Sequence, residues 1–177
     1  MSTFEYEKLI VDIPDYPEPG VVFKDVTPLF ANPQGLAAAV DTIATHFIHH
    51  GITKVVGAEA RGFLLGAPVA YRLTAGFVPA RKPGKLPREV HQQSYDLEYG
   101  SDTLEIHKDA LTPNDKVLIV DDLIATGGTC VASAKLVQQT GAQLVGFAFL
   151  LELAFLHPRE VVHKEFDQEI FSLIHVD

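Results

Sequence analysis

The spacing of apolar residues changes along the chain, and each change marks an element. From Pro33 to His50, Leu36, Val40, Ile43, Ala44 and Phe47 recur every three or four positions, the period of one helix face. Asn32 and Pro33 suit the cap and first position of that helix, and Gly51 follows its end. Lys54–Ala58, Gly76–Ala80, Val117–Val120 and Leu144–Leu151 are short apolar runs, as expected of parallel strands covered on both faces. Phe63–Leu73 and Thr129–Gln139 read as helices between them, the second stopped by Gly141. Strands alternating with helices predict an α/β fold, a central and mostly parallel sheet flanked by helices, whose ligands sit beyond the carboxyl ends of the strands.

The remaining segments read as periphery. Ser2–Ile10 opens with hydroxyl and acidic residues that suit a short leading helix. Ile13–Gly20 contains Pro14, Pro17 and Pro19 and predicts a rigid loop. Arg81–Arg88 predicts a mobile basic loop, and the alternation from Ser94 to Ile106 around Gly100 and Ser101 predicts an exposed hairpin rather than core. The tail from Phe155 to Asp177 is expected to add a helix or a strand at most. No repeat or linker interrupts the 177 residues, which read as one domain, 1–177.

Composition narrows the function classes. The chain has 47% apolar and 21% charged residues, and its 14 basic against 23 acidic side chains leave a formal charge of −9. Such a balance offers no global field to gather nucleic acid or an anionic membrane. The single cysteine, Cys130, cannot form an intramolecular disulfide. Glu5, Glu7 and Lys8 stand where a signal peptide needs an apolar stretch, so a cytoplasmic location is expected. The longest apolar run, Leu144–Leu151, contains Gly146 and is far shorter than a membrane span.

Val117–Thr129 carries the strongest chemical signal: a buried strand, the acidic pair Asp121 and Asp122, then Ala125, Thr126, Gly127, Gly128 and Thr129 entering a helix. The small residues leave amides free at a helix N-terminus, which favours a phosphate, and the two hydroxyls add donors. The carboxylates would repel that phosphate. They suit sugar hydroxyls or a hydrated magnesium ion beside it. Two other nucleotide motifs are absent, since Pro79 and Leu86 stand where a Walker loop at Gly84-Lys85 needs glycine and a hydroxyl, and no G-x-G-x-x-G follows a strand. His46 and His50 have zinc-pair spacing, but Phe47 occupies the place of the glutamate such a protease motif requires. Cys130 reads as a small packing residue.

Val117–Thr129 resembles the phosphoribosyl pyrophosphate (PRPP) signature of the type I phosphoribosyltransferases. Three further segments resemble the adenine phosphoribosyltransferase branch of that family: Asp12–Pro17 with Pro19–Asp25, Glu59–Phe63, and Arg81–Pro87 followed by Tyr95–Gly100. The likeness runs from about residue 4 to about 154. It implies the type I phosphoribosyltransferase fold, with an N-terminal base-binding hood at about 1–32 and a mobile basic loop and hairpin lid at about 81–106. It also implies magnesium-dependent transfer of phosphoribosyl from PRPP to N9 of adenine, giving AMP and pyrophosphate, in a homodimer whose basic loop reaches the neighbouring site.

Residue by residue, the resemblance puts the 5-phosphate and ribose on Asp121, Asp122 and Ala125–Thr129. Pyrophosphate falls on Glu59, Ala60, Arg61, Arg81, Lys82 and Lys85. Adenine falls between Phe23 and Leu123, with the Val22–Lys24 backbone reading its edge; Lys24 stands where the family has arginine. Glu98 faces N7 of the purine and, with Arg61 and Asp122, forms the catalytic set, while Tyr99 closes the lid. Magnesium is held mainly by PRPP, with no metal cage of protein side chains. Two rival readings are a transferase for a 6-oxopurine, which Pro19–Asp25 argues against, and a noncatalytic PRPP or nucleotide sensor. The sensor would need a nucleic-acid surface that the acidic balance does not supply.

Overall fold

The computed structural model describes residues 4–96 and 100–177. Its centre is a five-stranded sheet of β3 (Lys54–Ala58), β4 (Gly76–Ala80), β7 (Lys116–Ile124), β8 (Gln143–Leu153) and β9 (Glu169–Val176), in the order β4-β3-β7-β8-β9. Every pairing is parallel, so the mostly parallel sheet expected from sequence is wholly parallel. The layers separate by the two-residue period of a strand. Val117, Ile119, Phe147 and Phe149 face one buried cluster, and Leu118, Val120, Ala148 and Leu150 face the other. Helices α2 (Pro33–Phe47) and α3 (Arg61–Arg72) cover the second face; α4 (Gly128–Gln139) and α5 (Pro158–Val162) cover the first.

Local signals explain the elements that were legible. The Asn32 side chain accepts the Gly35 N–H at 2.8 Å, capping α2. The helix ends at Phe47, three residues before the expected His50. Pro79 is tolerated because β4 lies at the sheet edge.

Several expectations are corrected. The leading segment is a 3-10 turn, Tyr6–Leu9, not an α-helix. Part of the predicted rigid loop is strand: β1 (Val11–Pro14) pairs antiparallel with β2 (Val22–Asp25), and Pro14 fits because this two-stranded ribbon is all edge. A short helix α1 (Thr27–Ala31) follows it. The hairpin of β5 (Val90–Asp96) and β6 (Ser101–His107) is present, yet it is not simply exposed. Leu104 and Ile106 are buried in the core, and the Arg81–Glu105 bridge fastens β6 to the end of β4. The tail supplies both α5 and β9 rather than one element. The apolar positions Ile170 and Ile174, spaced four apart, fit helix and strand alike, so sequence could not arbitrate between them.

Counted along the chain, the sheet strands lie in the spatial order 2-1-3-4-5. The direction of winding reverses between β3 and β7, and a crevice opens beyond their carboxyl ends at such a switch point.

Candidate active site

The segments following β3 and β7 meet at that crevice. They border a cavity of about 300 Å³ lined by Glu59–Arg61, Lys82, Tyr95 and the continuous run Asp121–Cys130, with Leu104 and Phe149 beneath. The cradle read from sequence is built by α4. Its cap residue, Gly127, has φ +89°, and no side chain caps the helix, which leaves first-turn amides available to an anion. Gly127 is required twice over. That φ strains any residue with a Cβ, and a Cβ there would lie 3.2 Å from the Pro158 carbonyl oxygen.

The acidic pair is divided in role by its surroundings. Asp122 is buried, and its Oδ2 lies 2.9 Å from Arg61 Nε across the crevice. The N–H is not aimed along that line, so Oδ2 has a counter-charge but no hydrogen-bond partner. Asp121 Oδ1 accepts the Asp122 N–H at 2.8 Å and sits against Gly62, where a Cβ would come within 2.7 Å. Burial, and then the neighbouring Asp122 charge, lift the Asp121 pKa well above the ordinary carboxylate range. Among the described residues no cluster of three metal-ligating side chains exists. A divalent ion here would draw on two carboxylates at most. That donor set fits magnesium, which keeps several waters and binds largely through substrate phosphates.

The cations expected at pyrophosphate are gathered on Glu59, which follows β3. Arg81 Nη2 and Lys85 Nζ lie 3.3 and 3.0 Å from Glu59 Oε2, and the Lys82 N–H donates to Oε1. Burial alone would raise the Glu59 pKa, but the Lys82 N–H and the Lys85 and Arg81 side chains hold it below its usual value. Lys82 Nζ is paired with Asp102 Oδ2 at 2.6 Å. The Glu59 side chain is thus committed to the basic loop, while Glu59 and Ala60 both border the cavity. Sequence reasoning did not find this tether, because the partners are more than twenty residues apart on separate elements.

The hood meets the same crevice through Phe23, whose ring centroid is 5.5 Å from Arg61 Cζ and 5.3 Å from the Tyr16 ring. Leu123 borders the cavity, and Val22 is exposed. The Lys24 ammonium is turned to the Asp12 carboxylate across the ribbon, at 2.8 and 2.7 Å. Structure therefore brings together Arg61, Lys82, Leu123, both aspartates and the cradle, with Phe23 beside Arg61 and Lys24 directed elsewhere. Glu98 and Tyr99 lie outside the described residues.

Tyr95 is a site-lining residue that the periodicity did not single out. Its ring is where a Cβ on Gly128 would come within 3.3 Å, and its hydroxyl is 3.4 Å from Asp102 Oδ2. Cys130 is buried beneath the cradle, and burial followed by the Asp121 charge pushes its thiol pKa well up, which keeps it an inert packing group. His46 bonds Glu169 at 2.8 Å and stacks on Phe171 at 4.0 Å, fastening α2 to β9.

Comparison with known proteins agrees with this architecture. The phosphoribosyl transferase domain family matches residues 26–175. An adenine phosphoribosyltransferase from Microcystis aeruginosa is 55% identical over 172 residues, 96% of this chain and 98% of the relative. The crystal structure of an adenine phosphoribosyltransferase from Thermoanaerobacter pseudethanolicus superposes with a TM-score of 0.92 at 47% identity, covering 97% of this chain and 98% of that one. The Saccharomyces cerevisiae adenine phosphoribosyltransferase, solved with an imino-altritol bisphosphate and adenine, gives a TM-score of 0.89 at 40% identity, with 96% of each chain covered.

Proposed function

Because the chain belongs to the phosphoribosyl transferase family, on its adenine phosphoribosyltransferase branch, we propose that the crevice between β3 and β7 transfers phosphoribosyl from PRPP to adenine, by the assignment of residues that follows. The reaction joins N9 of adenine to the anomeric carbon as the bond from that carbon to pyrophosphate breaks, giving AMP. The observation that carries the assignment is the meeting, at one switch point, of an uncapped helix N-terminus, a buried aspartate and an arginine.

The 5-phosphate takes the Ala125–Thr129 amides and hydroxyls. Asp121 and Asp122 face the ribose. A carboxylate with a free buried oxygen, as on Asp122, can accept a sugar hydroxyl or the water of a hydrated cation. Magnesium, when bound on PRPP beside Asp121 and Asp122, neutralises phosphate charge. Positive charge develops on the sugar and negative charge on the departing pyrophosphate, so fixed groups already aimed at both lower the barrier without reorganising. Arg61 is permanently charged and planar, which suits it to two phosphate oxygens at once. Arg81, Lys82 and Lys85 join it by exchanging the carboxylates of Glu59 and Asp102 for pyrophosphate oxygens.

Adenine lies on the hood, between Phe23 and Leu123, with the Val22–Lys24 backbone at its edge; the hood at about 1–32 and the loop and hairpin at about 81–106 are the parts that close on substrate. The lysine at 24 is compatible with this, because its ammonium is occupied by Asp12. Glu98 faces N7 and stabilises or moves a proton as N9 attacks, and Tyr99 excludes water.

A homodimer fits a further surface feature. Leu64, Ala67 and Tyr71 are exposed along α3 with Pro68 between them, the one-face spacing of a helix awaiting a partner. A reducing cytoplasm suits a chain whose sole cysteine is a buried thiol. Among the described residues no helix is long and apolar enough to cross a membrane.

The purified protein with PRPP and magnesium is expected to convert adenine to AMP, followed by the change in purine absorbance or by chromatography. Preference for a 6-oxopurine would overturn the base assignment. Asp122→Asn is expected to lower kcat on the order of 10²-fold, the cost of losing one fixed charge at the reacting centre. Glu98→Gln should lose at least as much, since general acid–base groups contribute about 10²–10⁴-fold. Wild-type turnover in either folded variant would remove that residue from the mechanism.

A further inference from the structure

The cradle is backed by a helix too short to hold itself. A five-residue helix has no stability of its own, and α5 starts from His157 in a left-handed conformation, φ 52°, with no side-chain cap. Yet α5 is what the rear of the cradle touches. A Cβ on Gly127 would lie 3.2 Å from Pro158 O and 3.4 Å from both Val161 Cβ and Val162 Cγ2.

Pro158 and Val162 are buried. A further anchor is an ion pair. Arg159 Nε and Nη2 donate to the two oxygens of Glu152, each at 2.8 Å. Glu152 lies on β8, only 2% exposed, opposite Ile124 in β7, the residue just before the cradle, and opposite His175 in β9. His175 Nδ1 is a more distant neighbour of the same carboxylate, at 3.5 Å. A buried carboxylate without its partner is costly, and the planar guanidinium fork fixes direction as well as distance. The pair therefore closes a loop of elements: the end of β7, the cradle, α4, α5 and back through Glu152 to β8.

We propose that Glu152 and Arg159 are positioning residues for the phosphate-binding turn, acting through α5 on Gly127. The proposal rests on reading Ala125–Thr129 as the 5-phosphate site. Contacts to the 5-phosphate persist unchanged from bound substrate to transition state, so loosening the turn weakens binding of PRPP and AMP without slowing the chemical step. The base pocket takes no side chain from α5, so its affinity for adenine is expected to stay unchanged.

The test uses the full chain as wild type, Arg159→Gln, Arg159→Lys and Val162→Ala, with thermal melts confirming that each is folded at the assay temperature. Val162→Ala removes Cγ2, the side-chain atom 3.4 Å from where a Cβ on Gly127 would lie, and leaves the ion pair intact. Arg159→Gln is expected to raise the KM for PRPP and the AMP dissociation constant about tenfold, a loss of about 1.4 kcal/mol of phosphate binding. Arg159→Lys, which keeps the charge and loses the fork, should fall between it and wild type. Val162→Ala should shift both constants in the same direction. The kcat and the KM for adenine should stay at wild-type values. An unchanged PRPP KM in the folded variants overturns the proposal, as does an equal rise in the KM for adenine or a fall in kcat alone. If Arg159→Gln does not fold, Arg159→Lys and Val162→Ala decide by the same criteria. A wild-type protein that neither forms AMP nor binds it would refute the functional reading itself; one that forms AMP while the variants are indifferent refutes only this positioning role.

Discussion

Two adjacent aspartates illustrate how little a side chain's identity fixes its chemistry. Asp122 has Arg61 as its counter-charge, while Asp121 sits beside the Asp122 anion with its carboxyl largely desolvated. The folded protein therefore holds the Asp121 proton more tightly than the unfolded chain does. Stability from this group is complete below the ordinary carboxylate range, and it is lost as pH rises through the elevated folded pKa. Asp121→Asn mimics the protonated form and keeps an oxygen that can accept the Asp122 N–H. Its melting temperature is expected to exceed that of wild type at pH 8, with the gain shrinking towards pH 4. Scanning calorimetry at the two values checks this, and an equal difference at both would show that Asp121 does not titrate as its burial requires. Composition and spacing place both acids at the site but cannot distinguish them, because the distinction comes from Arg61 and Gly62, about sixty residues earlier in the chain.

At the scale of elements, the turn into α4 shows how one backbone conformation serves two neighbours. Gly127→Ala places a Cβ on a residue with φ +89° and presses it towards the Pro158 carbonyl. A left-handed residue with a side chain costs about 1–2 kcal/mol, so the unfolding free energy from denaturant titration should fall by that much, and the KM for PRPP should rise because the cradle must shift. A variant with unaltered stability and unaltered KM would mean that the turn does not need its glycine. The core elements were readable in the sequence for a physical reason: β3, β7, β8, α2 and α4 each bury a continuous face, and burial writes a period into the residues. The elements that escaped lack such a face. No residue of the ribbon of β1 and β2 is buried, and α5 is five residues long. The hairpin was foreseen but its burial was not, since β6 alternates as an exposed strand would while its inward residues join the core. The motif from Asp121 to Thr129 was legible because its donors are contiguous. The tether of Arg81 and Lys85 to Glu59 was not, since only folding brings those residues within reach.

For the molecule as a whole, the charge of −9 conceals a local reversal. Four of its fourteen basic residues fall in Arg81–Arg88, beside the one crevice that presents helix amides. An acidic body with a basic loop disfavours long polyanions, which would cross the body, and admits a small one that fits under the loop. The proposed contact face on α3 belongs to the same helix that starts at Arg61, so packing a second copy against Leu64 and Tyr71 would steady the arginine's base as well as bring a neighbouring basic loop near the site. Leu64→Glu combined with Tyr71→Glu puts like charges across a two-fold contact without touching the crevice. Wild type is expected to sediment at twice the chain mass at micromolar concentration and the double variant at the chain mass. AMP formation by the double variant should fall and recover as protein concentration is raised. A wild type that is monomeric and fully active would show that each crevice is complete within a single chain, and that Arg81, Lys82 and Lys85 act on the pyrophosphate of their own site.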